Sequence, residues 1–281
     1  MKLSFFNTGL PHLGVNRIYI ENLSKWLKPH LSKVTVTDEI SDLPNYDICI
    51  FSKYSKLEEI LELRKLSDTT KVGIIHPSDL NYDGRKKMQI ADFFIVGSIE
   101  EQDYYLRYSN NVFRFPQIED IKLNEYRLHK KKDQIILGYH GNLEHLQECS
   151  KSFKYAIEDA SDKINLKLHV MYNLKLGKWK KNRPNVDIEF FDWDFESLIN
   201  KMSMVDIGLM PCINKNILDV HLSDSNFFLK NLKLLLTKSG RKNDYSLNFK
   251  NTANAGRSFV FHQLKVPVIA DFWPSNFEIL S

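Results

Sequence analysis

The feature of the sequence that most constrains its fold is a regular alternation of short apolar segments with amphipathic ones. The apolar spacing of three amphipathic segments predicts helices: RIYIENLSKWLK, KLEEILELRKL and EEQDYYLRY. Six short apolar segments precede, separate and follow them. These are rich in β-branched or aromatic residues, which predicts strands: KLSFFN, KVTVT, YDICIF, VGIIH, ADFFIVG and NVFRFP. Strands that alternate with helices favour βαβ units and a mostly parallel sheet covered by helices.

The alternation stops between residues 119 and 133, where the sequence is polar and highly charged, and then starts again. Strands are predicted at QIILGYH, INLKLHVM, VDIEFF, VDIGLM and VPVIA, and helices at LQECSKSFKYAIEDA, FESLINKM and the apolar run from Phe259 to Leu264. We therefore predict an α/β protein with two Rossmann-like, doubly wound domains that face a cleft. The predicted boundaries are 1–118, a linker at 119–133, and 134–281.

Several classes of function are disfavoured by the sequence. No apolar window is long enough to span a membrane and the first residues do not resemble a signal peptide, so we expect a cytoplasmic protein and no periplasmic sugar-binding protein. Cys49, Cys149 and Cys212 are widely spaced, which suggests buried thiols and no zinc site. The segment NTGLPHLG lacks the G-x-G-x-x-G of NAD-dependent dehydrogenases. No recognition motif for nucleic acid is present either.

The formal net charge of +4 is concentrated in one place. Residues 214–250 form a predicted basic insertion with seven Lys or Arg and three Asp, and SNFFLKNLKLLLTK within it predicts an amphipathic helix. A second basic cluster covers residues 178–183 and contains Trp179. Either segment fits peripheral contact with an anionic membrane or a lipid-linked acceptor. The alternatives are a helix docked on its own domain for the first segment and a solvated loop for the second.

The C-terminal segment NAGRSFVFHQLKVPVIA predicts an anion site. Gly256, Arg257 and Ser258 begin the predicted helix, where backbone N–H groups, the helix dipole and a guanidinium all favour phosphate oxygens. Open α/β sheets bind ligands at the carboxyl ends of their strands. The polar and glycine-rich residues expected at those ends are Gly14, Asn16, His76, Gly141 and Asn142.

These motifs resemble the GT-B fold glycosyltransferases, specifically the retaining group 1 enzymes of glycosyltransferase family four. ILGYHGN resembles their strand and glycine-rich turn, and SLINKMSMVDIGLMP resembles their block of a helix followed by D-hydrophobic-G-hydrophobic-hydrophobic-P. Arg257 and Glu278 match the spacing of the family's phosphate-binding residue and of its Glu around the PVI strand. In the first half, GLPHLGVNR, IADFFIVGSIEEQDYYLRY and IIHPSDL resemble weaker family patterns.

The resemblance implies transfer of a sugar, hexosyl or related, from a nucleoside-diphosphate sugar to a glycan or lipid-linked acceptor, as in polysaccharide biosynthesis. It implies retention, no metal and no cofactor besides the donor. Arg257, the helix start at 255–258, Gly141, Asn142 and Lys250 would hold the diphosphate. Glu278 would also bind the donor, His76 would contact its sugar, and Gly14 and Asn16 would close over the diphosphate.

The sequence also departs from the family pattern. The positions where its best-known branch carries two Glu residues are Thr252 and Val260, and Lys265 replaces a customary Gly. The C-terminal domain also lacks the family's final helices within these residues. A non-catalytic or accessory glycosyltransferase-like subunit, which binds nucleotide or a partner without turnover, therefore stays open as an alternative.

Overall fold

The computed structural model describes residues 1–7, 9, 14–78, 82–121, 132–147, 149, 151–211, 256–270 and 275–276. The chain divides into two compact units, residues 1–120 and 121–281, and each contains one parallel β-sheet. The predicted basic insertion at 214–250, with its amphipathic helix, lies outside the described residues, as do Cys212 and Glu278.

The first unit has a six-stranded sheet in the order β2-β1-β3-β4-β5-β6. Every pair of neighbouring strands is parallel. The chain passes from β1 to β2 on one side and then to β3 on the other, so the topological switch point lies between β1 and β3. The strands are β1 (Lys2–Phe6), β2 (Lys33–Thr37), β3 (Ile48–Ser52), β4 (Lys71–Ile75), β5 (Phe93–Val96) and β6 (Val112–Arg114).

The second unit has a five-stranded parallel sheet in the order β11-β10-β7-β8-β9. Its switch point lies between β7 and β10, whose carboxyl ends are followed by Gly141 and Pro211. Ligands of open α/β sheets bind at such a point. The strands are β7 (Ile135–His140), β8 (Leu166–Tyr172), β9 (Asp187–Asp192), β10 (Ile207–Met210) and β11 (Val268–Ala270).

The described helices connect these strands. Before α1, residues Val15–Asn22 are wound as a π-helix, and two 3₁₀ turns occur at Ile40–Asn45 and Leu174–Leu176. The α-helices are α1 (Leu23–Leu27), α2 (Leu57–Leu66), α3 (Tyr82–Ile90), α4 (Ile99–Tyr105), α5 (Leu143–Gln147), α6 (Lys151–Ser161), α7 (Phe195–Met202) and α8 (Gly256–Gln263).

The side chains of β8 show that the second sheet is covered on both faces. Leu168 and Val170 belong to a core cluster with residues of α5 and α6, whereas Met171 belongs to a cluster with residues of α7 and α8. Successive side chains of a strand point to opposite faces, so the two clusters lie on opposite sides of the sheet. The strand order, the parallel pairing and this layering confirm the predicted fold class of two Rossmann-like, doubly wound domains.

Two details differ from the sequence prediction. The polar segment YDGRKKMQI forms α3, which the sequence does not predict because its apolar residues show no helical periodicity. The buried residues of α3 are Gly84 and Met88. The single helix predicted for LQECSKSFKYAIEDA is instead divided between α5 and α6, with Cys149 outside both helices. Among the described residues, no helix is both long and apolar enough to cross a lipid bilayer.

Candidate functional site

Helix α8 is held firmly against the second sheet, and this fixes the position of Arg257. Phe261 is fully buried, and a Cβ placed on Gly208 of β10 would lie 2.5 Å from its Cγ atom. The absence of a side chain at Gly208 therefore lets the ring pack directly on the strand. Val260 and Leu264 bury the same face of the helix. Arg257 lies one turn before Phe261 and is carried by this packing to the start of α8.

The side chain of Arg257 is a buried cation with few partners. The residue is 6% exposed, and its Nη1 donates to the hydroxyl of Tyr139 over 3.3 Å. The guanidinium carbon lies 5.7 Å from the centroid of the Tyr139 ring. Its Nε has no hydrogen-bond partner, and no carboxylate pairs with it in the part of the chain that the structure describes. Since a buried charge is costly without a counter-charge, this environment favours an anionic ligand.

The turn after β7 brings backbone close to Arg257. Gly141 has a φ of 147°, which an L side chain rarely adopts, and its N–H donates to the Met171 carbonyl over 3.1 Å. A Cβ on Gly141 would lie 3.1 Å from Cδ and 3.2 Å from Nη1 of Arg257. Glycine is therefore required here both by the backbone conformation and by the space that the guanidinium occupies.

Asn142 continues this turn and is exposed. Its carbonyl accepts from the Tyr139 hydroxyl over 3.0 Å and from the His145 N–H over 3.1 Å. Tyr139 thus links the Asn142 backbone to the Arg257 guanidinium through one hydroxyl. This shared hydroxyl couples the position of the turn to the position of the cation.

The histidines beside Arg257 are neutral at physiological pH. Burial and, second, the charge of Arg257 lower the pKa of His140 to about 3. The same two causes, in the same order, lower the pKa of His145 to about 3. Burial raises the pKa of Tyr139 to about 12, although Arg257 opposes this shift. Among these described side chains, the positive charge at neutral pH is therefore that of Arg257.

The other predicted residues of α8 contribute in different ways. Gly256 is buried and is the first residue of the helix, so the positive end of the helix dipole lies beside Arg257. The hydroxyl oxygen of Ser258 lies 2.7 Å from the sulfur of Met210 and 3.3 Å from Oδ1 of Asn276, so its one proton has two acceptors within reach. This hydroxyl is therefore engaged inside the unit. Contact of Ser258 with an anion would use its backbone.

His76 lies in the first unit, at the end of β4, in a buried polar network. Its φ of 49° falls in the left-handed region, which is uncommon for a non-glycine residue. Its Nδ1 lies 3.0 Å from Glu101 Oε2 and its Nε2 lies 3.1 Å from Gln117 Nε2. The carboxylate accepts from Nδ1–H, which leaves Nε2 as the acceptor from the Gln117 amide. Both ring nitrogens are thus engaged within the first unit.

Gly14 and Asn16 lie where the π-helical segment begins. Gly14 is its N-terminal cap, and Asn16 is fully buried. A Cβ on Gly9 would lie 2.5 Å from Nδ2 of Asn16, so the Asn16 amide packs against the backbone of the loop before it. Asn16 therefore belongs to the packed interior of this loop.

The structure places together five of the residues that the sequence analysis selected, while His76, Gly14 and Asn16 belong to the first unit. Lys250 and Glu278 lie outside the described residues. Within the described residues, no group of three or more His, Cys, Asp or Glu side chains is arranged to hold a metal ion. The five neighbours in the second unit are Gly141, Asn142, Gly256, Arg257 and Ser258.

The sequence places Tyr139 at the carboxyl end of a strand but does not select it as a site residue, although it contacts both halves of the site. In the sequence it is one aromatic residue of an apolar strand, and nothing local separates it from a core residue. The available signal is its place two residues before Gly141. A hydroxyl there reaches the turn that follows the strand.

Comparison with known proteins gives similarity to solved structures only: no family model matches the chain, and no curated protein matches it. An alpha-glucosyltransferase in complex with UDP and DNA shares 14% identity over 74% of this chain and 71% of that chain, with a TM-score of 0.45. The apo lipopolysaccharide outer core galactosyltransferase WaaB shares 14% identity over 99% and 95%, with a TM-score of 0.45.

T4 phage BGT in complex with UDP and Mn²⁺ shares 14% identity over 94% of this chain and 96% of that chain, with a TM-score of 0.44. These identities and TM-scores are low. The fold assignment therefore rests on the strand order, the parallel pairing and the layering of the chain itself.

Proposed function

We propose that this protein is a glycosyltransferase that moves a sugar from a nucleoside-diphosphate sugar to a glycan or lipid-linked acceptor. The observation that carries the proposal is the buried guanidinium of Arg257, whose Nε has no acceptor among the described residues. It lies at the start of α8 and beside the Gly141 turn, at the switch point of a parallel sheet. A diphosphate would supply the negative charge that the described surroundings of Arg257 lack.

In the proposed reaction the bond between the sugar C1 and the diphosphate oxygen breaks, and the acceptor hydroxyl oxygen bonds to C1. Negative charge develops on the leaving diphosphate, and fixed donors at that place lower the barrier. Arg257 supplies the charge, while Gly141, Asn142 and the start of α8 allow close approach of backbone. The diphosphate takes the acceptor proton, which is compatible with retention and needs no separate base. Lys250 and Glu278 remain proposed donor contacts.

The proposed roles of the first-unit residues are more constrained. His76 can contact a donor sugar only if Gln117 releases Nε2, because Nδ1 is held by Glu101. We therefore propose that His76 positions the end of β4. It would contact the donor sugar through Nε2, with a sugar hydroxyl in place of the Gln117 amide. Gly14 and Asn16 would shape the first loop over the diphosphate, Asn16 through its packing on Gly9.

One observation favours the alternative of a non-catalytic subunit that binds nucleotide or a partner. Val260 occupies a position where the resembling family carries a Glu, and it is 3% exposed within the core cluster of α7 and α8. An apolar residue buried there cannot hold a ribose or a sugar hydroxyl. Binding of a diphosphate without turnover would support this alternative over the enzyme.

A melting-temperature panel tests the proposal. UDP, GDP, CDP, dTDP and their sugars are each added to the full chain without metal and with Mn²⁺ or Mg²⁺. At roughly 100-fold excess over Kd, we expect one base to raise the melting temperature by about 5 to 10 °C without metal. Arg257→Ala should abolish this rise. No rise with any diphosphate, or an equal rise in Arg257→Ala, would contradict the assignment.

Arg64→Ala provides the control for general destabilisation. Arg64 is a structural arginine that bonds the carbonyls of Thr70 and Ile90 and the carboxylate of Asp92. Its loss should lower the melting temperature of the free protein but preserve the rise given by nucleotide. This separates loss of stability from loss of the ligand.

Release of nucleoside diphosphate in the presence of candidate acceptors then separates enzyme from accessory subunit. The panel includes oligosaccharides, lipid-linked sugars and DNA. Release that depends on a glycan or lipid-linked acceptor supports it. Release that depends on DNA would overturn the proposed acceptor, and binding without any release would favour the accessory subunit.

A further inference from the structure

The segment that follows β8, residues 173–183, is strongly basic and is called here the basic loop. It contains five cationic residues and no acidic one. All five cationic residues are exposed, and none of them forms an ion pair in the described part of the chain: Lys175, Lys178, Lys180, Lys181 and Arg183. Such a surface attracts a dense array of negative charges.

The basic loop also exposes two leucines at its tip. Leu176 is 66% exposed and Leu174 is 38% exposed, both in the 3₁₀ turn Leu174–Leu176. Lys175 lies between them, and Lys178 follows Gly177. A single exposed leucine needs no explanation, but two leucines at the tip of a cationic loop combine apolar and charged contacts in one surface.

The basic loop is held in one conformation by several internal contacts, so its exposed tip has a defined position. Trp179 is 1% exposed, packs in the core with α5 and α6, and donates from Nε1 to the Lys181 carbonyl over 2.9 Å. Tyr172 donates its hydroxyl to the Gly177 carbonyl over 3.1 Å. Pre-organisation of this kind lowers the entropic cost of binding.

Contacts with α5 place the loop near the candidate anion site. The side chain of Gln147 donates to the Lys178 carbonyl over 2.8 Å and accepts from the N–H of Lys181 over 2.9 Å. Helix α5 directly follows the turn that contains Gly141, and β7 and β8 are neighbouring strands. The basic loop and Arg257 therefore lie along the same edge of the second sheet.

We infer that the basic loop docks this protein on an anionic phospholipid bilayer. Its lysines would lie among the headgroup phosphates, and Leu174 and Leu176 would enter the boundary between headgroups and acyl chains. The buried position of Trp179 argues against single-stranded nucleic acid as the partner, because the one aromatic ring of the loop is not available for stacking on bases. This surface does not depend on the proposed nucleotide site.

Sedimentation with lipid vesicles tests the inference on the full chain. One set of vesicles is pure phosphatidylcholine, and the other contains about a third phosphatidylserine or phosphatidylglycerol. We expect binding to the anionic vesicles only, with an affinity that falls as salt rises. Changing Lys178 and Lys181 together to Ala should weaken binding about 30-fold, and Leu176→Ser should weaken it about tenfold.

Two controls keep the result specific. Lys65→Ala combined with Leu66→Ser alters a similar exposed pair in the first unit, where Leu66 is 53% exposed, and should leave vesicle binding unchanged. Arg257→Ala should also bind vesicles like the parent protein, which separates this inference from the nucleotide proposal. Each variant is checked for an unchanged melting temperature before vesicles are added.

The inference is overturned if the parent protein does not sediment with anionic vesicles. It is also overturned if the loop variants bind as well as the parent, since the contact would then lie elsewhere. If short DNA oligomers displace the protein from vesicles and bind it through the loop more tightly than the lipid does, the loop is a nucleic-acid surface instead.

Discussion

His76 in the first unit and Arg257 in the second are both buried, polar side chains near the carboxyl ends of parallel strands, and each is 6% exposed. Their surroundings differ. Both ring nitrogens of His76 have partners, Glu101 and Gln117. In the part of the chain that the structure describes, Arg257 donates to one hydroxyl, and its Nε has no hydrogen-bond partner.

The comparison separates two reasons for burying a polar group. A fully bonded group such as His76 ties structural elements together, here the end of β4, the start of α4 and the segment after β6. A buried cation that lacks a counter-charge adds nothing to the stability of the empty protein. The burial of Arg257 is explained if an anionic ligand pairs with its guanidinium. This is the basis of the proposed diphosphate site.

The largest effect on stability is expected at the His76 side of the comparison. Glu101→Ala removes the acceptor of His76 Nδ1–H and of the Gly97 N–H, which is 2.7 Å from Oε2. Two buried donors would lose their partner, so we expect a loss of about 3 kcal/mol in the free energy of unfolding. Denaturant unfolding measures it. Glu196→Ala, an exposed acidic residue in the first turn of α7, is the control.

The same Glu101→Ala variant should keep its response to a nucleoside diphosphate, since Glu101 holds His76, whose proposed contact is with the donor sugar. If it unfolds with the parent midpoint, the carboxylate is not structural. The contrast between a fully bonded histidine and an incompletely bonded arginine would then be lost.

Gly141→Ala is expected to affect the Arg257 side of the comparison. The change places a methyl group 3.1 to 3.2 Å from the Arg257 side chain and strains a residue with a φ of 147°. We expect a loss of about 2 kcal/mol in stability and loss of most of the nucleotide-induced rise in melting temperature.

Gly177→Ala is a matched control for Gly141→Ala. Gly177 also has a positive φ, 113°, but a Cβ there would meet nothing within 4 Å. It should therefore show the backbone strain alone and retain the full nucleotide response. An equal loss of response in both variants would mean that backbone strain causes the effect of Gly141→Ala. The expected role of its contact with Arg257 would then be contradicted.

Tyr139→Phe should have an intermediate effect. It removes the hydroxyl that joins Arg257 Nη1 to the Asn142 carbonyl while preserving the ring. Loss of one such hydrogen bond corresponds to roughly tenfold weaker binding of the diphosphate, measured by calorimetry. Tyr172→Phe removes an equally buried hydroxyl at the end of the neighbouring strand and should not change nucleotide affinity.

The smallest effect concerns acid. Because the pKa of His145 in the folded protein is about 3 while its ordinary value is 6.5, the unfolded chain takes up a proton between these two pH values and the folded chain does not. Stability is therefore lost as pH falls from 6.5 towards 3. At pH 6 this lowers the free energy of unfolding by on the order of 1 kcal/mol. His145→Gln should make unfolding less sensitive to pH, whereas an unchanged pH profile would contradict the low pKa.

The fold could be predicted from the sequence because the strands are short apolar runs, and their alternation with amphipathic segments is visible in one sequence. The sequence did not predict elements whose burial is not marked by a pattern of apolar residues. Helix α3 is polar and buries only Gly84 and Met88, so no periodicity marks it. Trp179 reads as part of a basic cluster, yet its ring fills the core beside Tyr172 while its neighbours stay exposed.

The candidate site was predictable only in part for a similar reason. Arg257 and Gly141 stand out because a glycine after a strand and an arginine at a helix start have local meaning in the sequence. Tyr139 has none, since its role depends on a residue 118 positions away in the chain. The network that engages His76 likewise joins residues from separate elements, and single-sequence patterns do not encode such partners.

The most direct test of the central claim is calorimetric titration of the full chain with the best nucleoside diphosphate from the melting panel and with the corresponding nucleoside. The account predicts that the diphosphate binds, that the nucleoside binds far more weakly, and that Arg257→Ala loses roughly 100-fold or more in affinity for the diphosphate alone. Equal affinity of Arg257→Ala and the parent protein for the diphosphate would contradict it.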